Sequence, residues 1–80
     1  MRIDKYLKNS RIIKRRTVAK EACEQGRVFI NGKQAKPGYE VKVGDIVQVD
    51  FGTGSVKVEV LKLIDNAKKD EASQLYRYID

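Results

Sequence analysis

The side chains able to do chemistry in this chain are cationic, and they are crowded at one end. Arg2, Lys5, Lys8, Arg11, Lys14, Arg15, Arg16, Lys20 and Arg27 all fall within residues 1–27, against three acids, Asp4, Glu21 and Glu24. That excess of six positive charges equals the formal charge of +6 for all 80 residues. Residues 28–80 are neutral, with eight bases and eight acids. Guanidinium groups grip phosphate oxygens through paired N–H bonds, and ammonium groups add point charge. A one-sided excess of this kind points to a polyanionic partner and says nothing about fold. A merely solvated face would carry mixed charges, so nucleic acid is the better reading.

Other chemistries are excluded or weak. The chain has no histidine, no tryptophan and one cysteine. Histidine acid–base catalysis, a Cys/His zinc site and a disulfide framework are therefore absent, and no cofactor or metal is implied. Cys23 falls on the apolar stripe of an expected helix and reads as a buried structural thiol. Gly52-Thr53-Gly54 has no following helix to cradle a phosphate, so a hairpin turn explains it better. Composition leaves lysine or carboxylate catalysis open, but no pair of acids has a spacing that singles it out. The longest apolar run, Val28-Phe29-Ile30, is far below the ~20 residues of a membrane span. Without an apolar leader at the start, the chain is expected to be cytoplasmic. Its length fits one domain with no catalytic domain attached. Among aromatic side chains, Tyr6 and Tyr76 lie on apolar stripes, Tyr39 opens a strand, and Tyr78 is the freest to stack on a base.

The elements that must carry these cations follow from periodicity. Ile3, Tyr6, Leu7 and Ser10 share one side of a helix from Arg2 to about Ser10, with Arg2, Lys5, Lys8 and Asn9 opposite. A basic connection, Arg11–Arg16, is anchored by Ile12 and Ile13. A second helix is expected from Arg16 to Gln25, burying Val18, Ala19, Ala22 and Cys23, with Gly26 as its left-handed terminator. Arg16 and Lys20 lie one turn apart on it. The period then changes to two. Asn31-Gly32 predicts a tight hairpin between Arg27–Ile30 and Lys33–Ala35. Pro37-Gly38 and Gly44-Asp45 are further turns, and residues 39–43, 47–51 and 56–60 alternate as strands. Leu61 and Leu63 change face relative to Val60, which suggests a bulge or a second contact. Asp65-Asn66 would cap a last helix over Ala67–Ile79, whose stripe is Ala72, Leu75, Tyr76 and Ile79. The expected class is α+β: two short helices on a small antiparallel sheet, plus a C-terminal helix.

The run from Arg16 through Gly26 to Asn31-Gly32-Lys33, with Pro37 and Val43-Gly44-Asp45-Ile46-Val47-Gln48-Val49, resembles the S-four RNA-binding domain, the αL motif. The likeness covers about residues 1–50 of a single RNA-binding domain, leaving a strand hairpin and C-terminal helix over about 46–80. The opening Arg2-Ile3-Asp4-Lys5-Tyr6-Leu7-Lys8 is similar to the free-standing branch that contains RqcP and the fifteen-kilodalton ribosome-associated heat-shock protein. That branch implies binding to large-subunit rRNA and peptidyl-tRNA on obstructed large ribosomal subunits. It also implies a role in ribosome-associated quality control, supporting C-terminal alanine tailing with RqcH. On that resemblance Arg2, Asp4, Lys5 and Arg16 match RNA-facing positions. Lys8, Arg11, Lys14, Arg15 and Lys20 extend the set by charge and helical geometry. Asp4 fits a role in steering neighbouring cations, and fits equally an acid at a helix start. One position departs from the pattern: Arg15 stands where Ser or Thr usually caps the second helix, and Thr17 could cap a later start. The expected protein is a non-enzymatic monomer. A general rRNA-binding or ribosome-assembly factor and a small DNA-binding regulator are the rival readings.

Overall fold

The alternation over residues 46–60 dominates the architecture, because it makes two adjacent strands that each bury one face. The computed structural model describes residues 1–79. It contains helices α1 (Ile3–Asn9) and α2 (Arg16–Glu24) and strands β1 (Val28–Ile30), β2 (Lys33–Gln34), β3 (Ile46–Asp50), β4 (Ser55–Val60) and β5 (Tyr76–Tyr78), with a 3₁₀ turn at Ala72–Gln74. The sheet runs β2-β1-β3-β4-β5 with every pairing antiparallel. Val28 faces Val49, Val49 faces Val56, and Val47 faces Val58, so these side chains share the dry side. Ile3, Tyr6 and Leu7 of α1 and Ala19, Ala22 and Cys23 of α2 pack with them into one core. Phe29, Gln48 and Lys57 line up on the other side. The expected hairpin forms, with Asn31 and Gly32 at φ of 52° and 85°, the two left-handed positions of a type I′ turn.

Three expectations about the sheet and the C-terminal segment need correction. Residues 39–43 are not a strand. Among the described residues their strand-like pairing is one bridge, between Arg2 and Glu40, beside bonds from Ile3 N–H to Tyr39 O and from Val41 N–H to Met1 O. Val41 is buried while Tyr39 and Val43 are exposed. Strand β3 ends at Asp50 because the Gly52–Gly54 turn closes immediately, leaving Phe51 exposed. Strand β4 stops at Val60 and both leucines are exposed, but the change of face does mark a second contact: the Leu61 and Lys62 N–H groups both donate to Leu75 O, at 2.8 and 3.4 Å.

The expected C-terminal helix is absent. The chain from Leu61 crosses over α1, turns at Ala72–Gln74 and adds β5 to the free edge of β4, pairing Val58 with Tyr78 and Val60 with Tyr76. An open β4 edge offers unpaired backbone groups, and a Tyr-x-Tyr segment suits a pleated surface better than a short helix does. Ala72 and Leu75 are still buried, as the helical stripe required, but by different backbone geometry. The buried Tyr6 hydroxyl donates to Leu75 O at 2.7 Å, tying α1 to this segment. Burial pushes that hydroxyl far above its ordinary pKa, so it stays a donor at all ordinary pH.

Candidate nucleic-acid interface

One buried carboxylate organises the basic end. Asp4 is the second residue of α1 and only 2% exposed. Its Oδ1 accepts the Lys5 N–H at 2.8 Å. Arg2 approaches with Nε 3.3 Å from Oδ1 and Nη2 3.4 Å from Oδ2. Arg16, at the first turn of α2, brings Nη2 to 3.4 Å from Oδ1. Both arginine side chains remain about half exposed, at 48% and 47%. Each guanidinium has five N–H donors, so most donors of the pair remain available to a phosphate. A buried carboxylate is costly unless paired and hydrogen-bonded; here it is both. Among the described residues, every buried side-chain polar atom has a partner. Asp4 is thus the first-turn acid of α1, whose cap position is Arg2 without a side-chain cap bond, and the same carboxylate meets both Arg2 and Arg16.

The backing of Arg2 is the Pro37-Gly38 turn. Asp4 N–H donates to Pro37 O at 3.4 Å, and the Arg2 guanidinium lies about 4.0 Å from where a Gly38 Cβ would stand. The sequence marks this turn clearly. That it seats an arginine thirty-six residues away is not visible in any local pattern.

The remaining cations spread from this centre. Lys8, Arg11, Lys14, Arg15 and Lys20 are exposed, and among the described residues none has a carboxylate within ion-pair distance. Arg11 turns the chain out of α1 with φ of 61°. Arg15 occupies the cap position of α2 without a side-chain cap bond, so the helix starts at Arg16 and the later start at Thr17 is not taken. The first-turn N–H groups and the positive end of the dipole thus lie beside Arg15 and Arg16. Lys5 differs from the rest: its Nζ is 3.2 Å from Asp65 of the crossing segment. Asn9 was expected on the exposed side but is buried, donating from Nδ2 to Ile64 O and Asp65 O at 2.8 Å each. Val18, expected in the core, is 46% exposed; α2 buries only Ala19, Ala22 and Cys23. Arg27 is used structurally, donating from Nε to Asp50 O at 2.7 Å.

Residues 1–47 match the family described as the S4 domain. The chain belongs to the S4 domain family. Over 79 residues it is 53% identical to a Listeria monocytogenes protein named RQC P-site tRNA stabilizing factor, a match covering 99% of this chain and 86% of the relative. A Bacillus subtilis protein of the same name is 55% identical over 76 residues, covering 95% and 88% of the two chains. The trimeric structure of Vibrio cholerae Heat Shock Protein 15 superposes with a TM-score of 0.90 at 34% identity, covering 99% of this chain and 81% of that one. The two-helix, five-strand fold is thus an S4 fold extended by β4 and β5.

Within this S4 domain the thiol lies against the core and is not poised to react. Burial pushes Cys23 up to about 11, with the Asp4 and Glu24 carboxylates adding to the rise. The folded value lies above the 9.0 of an unperturbed thiol. Its stabilising contribution is therefore complete below about pH 9 and lost as pH climbs through the folded value. Urea unfolding at pH near 8.5 and near 10.5 is expected to show wild type losing about 2 kcal/mol more than Cys23→Ala.

Proposed function

We propose that this S4 domain is a non-enzymatic RNA-binding factor that grips tRNA and large-subunit rRNA through backbone phosphates. It acts in ribosome-associated quality control, holding peptidyl-tRNA on obstructed large subunits and supporting C-terminal alanine tailing with RqcH. The observation that carries the reading is the Arg2–Asp4–Arg16 cluster on an S4 frame. Support comes from relatives at 51–55% identity named RQC P-site tRNA stabilizing factor. Arg2, Lys5, Lys8, Arg11, Lys14, Arg15, Arg16 and Lys20 are the phosphate contacts in this proposal. Asp4 positions two of them and touches no phosphate. The setting is the cytoplasm, and the acting species is a monomer of one RNA-binding domain whose motif occupies about residues 1–50. Light scattering tests the monomer, since the Vibrio neighbour was solved as a trimer.

Phosphate contacts position without reading sequence, so binding should be steeply salt-dependent. With about five phosphates neutralised at a slope near −0.7 each, affinity falls on the order of 100-fold between 50 and 200 mM salt. The deciding experiment is gradient sedimentation of tagged protein in lysate, followed by sequencing of bound RNA. Enrichment on free large subunits that carry peptidyl-tRNA is the expected outcome. Recovery with small subunits points to a general assembly role, and recovery with DNA to a regulator; either result overturns the proposal.

A further inference from the structure

A second feature adjoins the arginine pair and is chemically unlike it. A groove of about 430 Å³ opens between the C-terminal end of α2 and residues 34–37. Cys23, Glu24 and Gly26 form one wall, and Gln34, Lys36 and Pro37 the other, over a floor at the buried Ala35. It shares Pro37 with the backing of Asp4, whose N–H donates to the Pro37 carbonyl. The groove thus lies one hydrogen bond away from the residue that holds Arg2 and Arg16.

The groove is not another phosphate site. Glu24 contributes a carboxylate, and the end of a helix presents backbone carbonyls carrying partial negative charge. A neutral group offering N–H donors suits that wall. The opposite wall offers Lys36 as a single cation for an acceptor. Gln34 is held in place although exposed: its Nε2 donates to Gly26 O at 3.0 Å, and a Cβ on Gly26 would come within 2.6 Å of that nitrogen. Glycine here has a second reason besides its φ of 74°, because it lets the amide lie flat across the helix terminus. With one N–H committed to Gly26 O, Gln34 keeps its Oε1 and its second N–H for a group in the groove.

We infer that the groove receives one unstacked guanine from the bound RNA. The inference rests on the RNA-binding reading above and deepens it. Guanine presents two adjacent donors, N1–H and the N2 amino group, to a carboxylate, and offers O6 to an ammonium group. Unstacked bases are read on such edges in single-stranded RNA. Adenine and cytosine offer the Glu24 wall one amino group beside a bare acceptor nitrogen, and that nitrogen faces the carboxylate unfavourably. Uracil has one N–H between two carbonyls and meets the same repulsion. The arginine cluster then supplies affinity and the groove supplies preference.

The test uses the full chain and a set of labelled RNA hairpins identical except for one loop nucleotide, which is guanosine, inosine, adenosine, cytidine or uridine. Fluorescence anisotropy measures each affinity at one salt concentration. Guanosine is expected to bind about tenfold tighter than inosine, which lacks only the N2 amino group, because a hydrogen bond to a charged partner is lost. Glu24→Gln is expected to bring that ratio close to one, and Gln34→Ala to reduce it. The ratio is insensitive to the general gain in affinity that follows removal of an acid. Equal binding of all five hairpins, or a preference that survives Glu24→Gln, overturns the groove assignment while leaving phosphate binding intact. Absence of salt-dependent binding to every hairpin overturns the RNA-binding reading and the groove with it. Circular dichroism of both variants confirms that the β1–β2 hairpin and α2 are retained.

Discussion

Arg16→Ala is expected to weaken RNA binding roughly 30-fold, and Asp4→Asn roughly tenfold, although the second change makes the surface more positive. Net charge and geometry give opposite signs here. If the basic end were only a field, removing the Asp4 carboxylate would strengthen binding. If the carboxylate fixes two guanidiniums, its loss frees two long side chains, each with about 2 kcal/mol of rotamer entropy to lose on binding. Asn keeps an oxygen for the Lys5 N–H, so α1 keeps its start while the ion pairs at 3.3 and 3.4 Å lose their charge. The salt slope separates the two variants. Arg16→Ala should flatten it by about one phosphate, near 0.7, whereas Asp4→Asn should shift affinity with a smaller change in slope. The double variant should fall short of the product of the single effects, because residues in contact couple. Charge reversal is a poorer probe than truncation: Arg16→Glu would set a second carboxylate against buried Asp4 and mix stability with binding. An Asp4→Asn protein that binds more tightly than wild type would show the cluster to be a charged surface and nothing more.

What the sequence made legible is what local pattern encodes. The α1 stripe, the Gly26 terminator and the Asn31-Gly32 hairpin depend on neighbours within a few residues and stand as read, as does the alternation over 47–51 and 56–60 except at Phe51, which lies beyond β3. The cations of the site were legible for the same reason, since charge clusters along the chain. Their grouping was not. Arg2 and Arg16 meet only because α1 and α2 pack together across Asp4, and Arg2 is seated by residues 37–38. Val18 was misread because a stripe of three small residues suffices for a nine-residue helix, so the larger neighbour is left outside. Asn9 was misread, and the ion pair of Lys5 was not visible, because of a long-range event. A segment more than fifty residues away covers that side of α1 and takes up an amide and an ammonium group. The last helix failed for a related reason. Ala72, Leu75, Tyr76 and Ile79 have helical spacing, but the free edge of β4 competes for the same residues, and helix propensity is a weak prior against such an edge.

The consequence of that correction is the largest expected effect on stability. Leu75→Ala should destabilise the protein by about 2–5 kcal/mol, as loss of a fully buried leucine does. A chain of this size holds on the order of 4–12 kcal/mol in total, so this one truncation removes a large share. The midpoint of thermal unfolding should fall on the order of 10–30 °C. A peripheral helix acting as a lid would give a different answer, because its contacts are dispensable to the core and its truncation costs less than about 1 kcal/mol. Leu63→Ala is the matched control. Leu63 lies in the same crossing segment but is exposed, and surface truncations stay within about 0.5 kcal/mol. Leu75 also supplies the carbonyl that accepts the Tyr6 hydroxyl and the Leu61 N–H, so a loosened β5 releases α1 from beneath. Since α1 carries Arg2's neighbour Asp4 as well as Lys5 and Lys8, RNA affinity of Leu75→Ala should decline in parallel with its folded fraction. Urea titration of both variants beside wild type decides the matter: equal midpoints for Leu75→Ala and Leu63→Ala would mean that β5 is an appendage, and a wide separation means that the basic end is built on it.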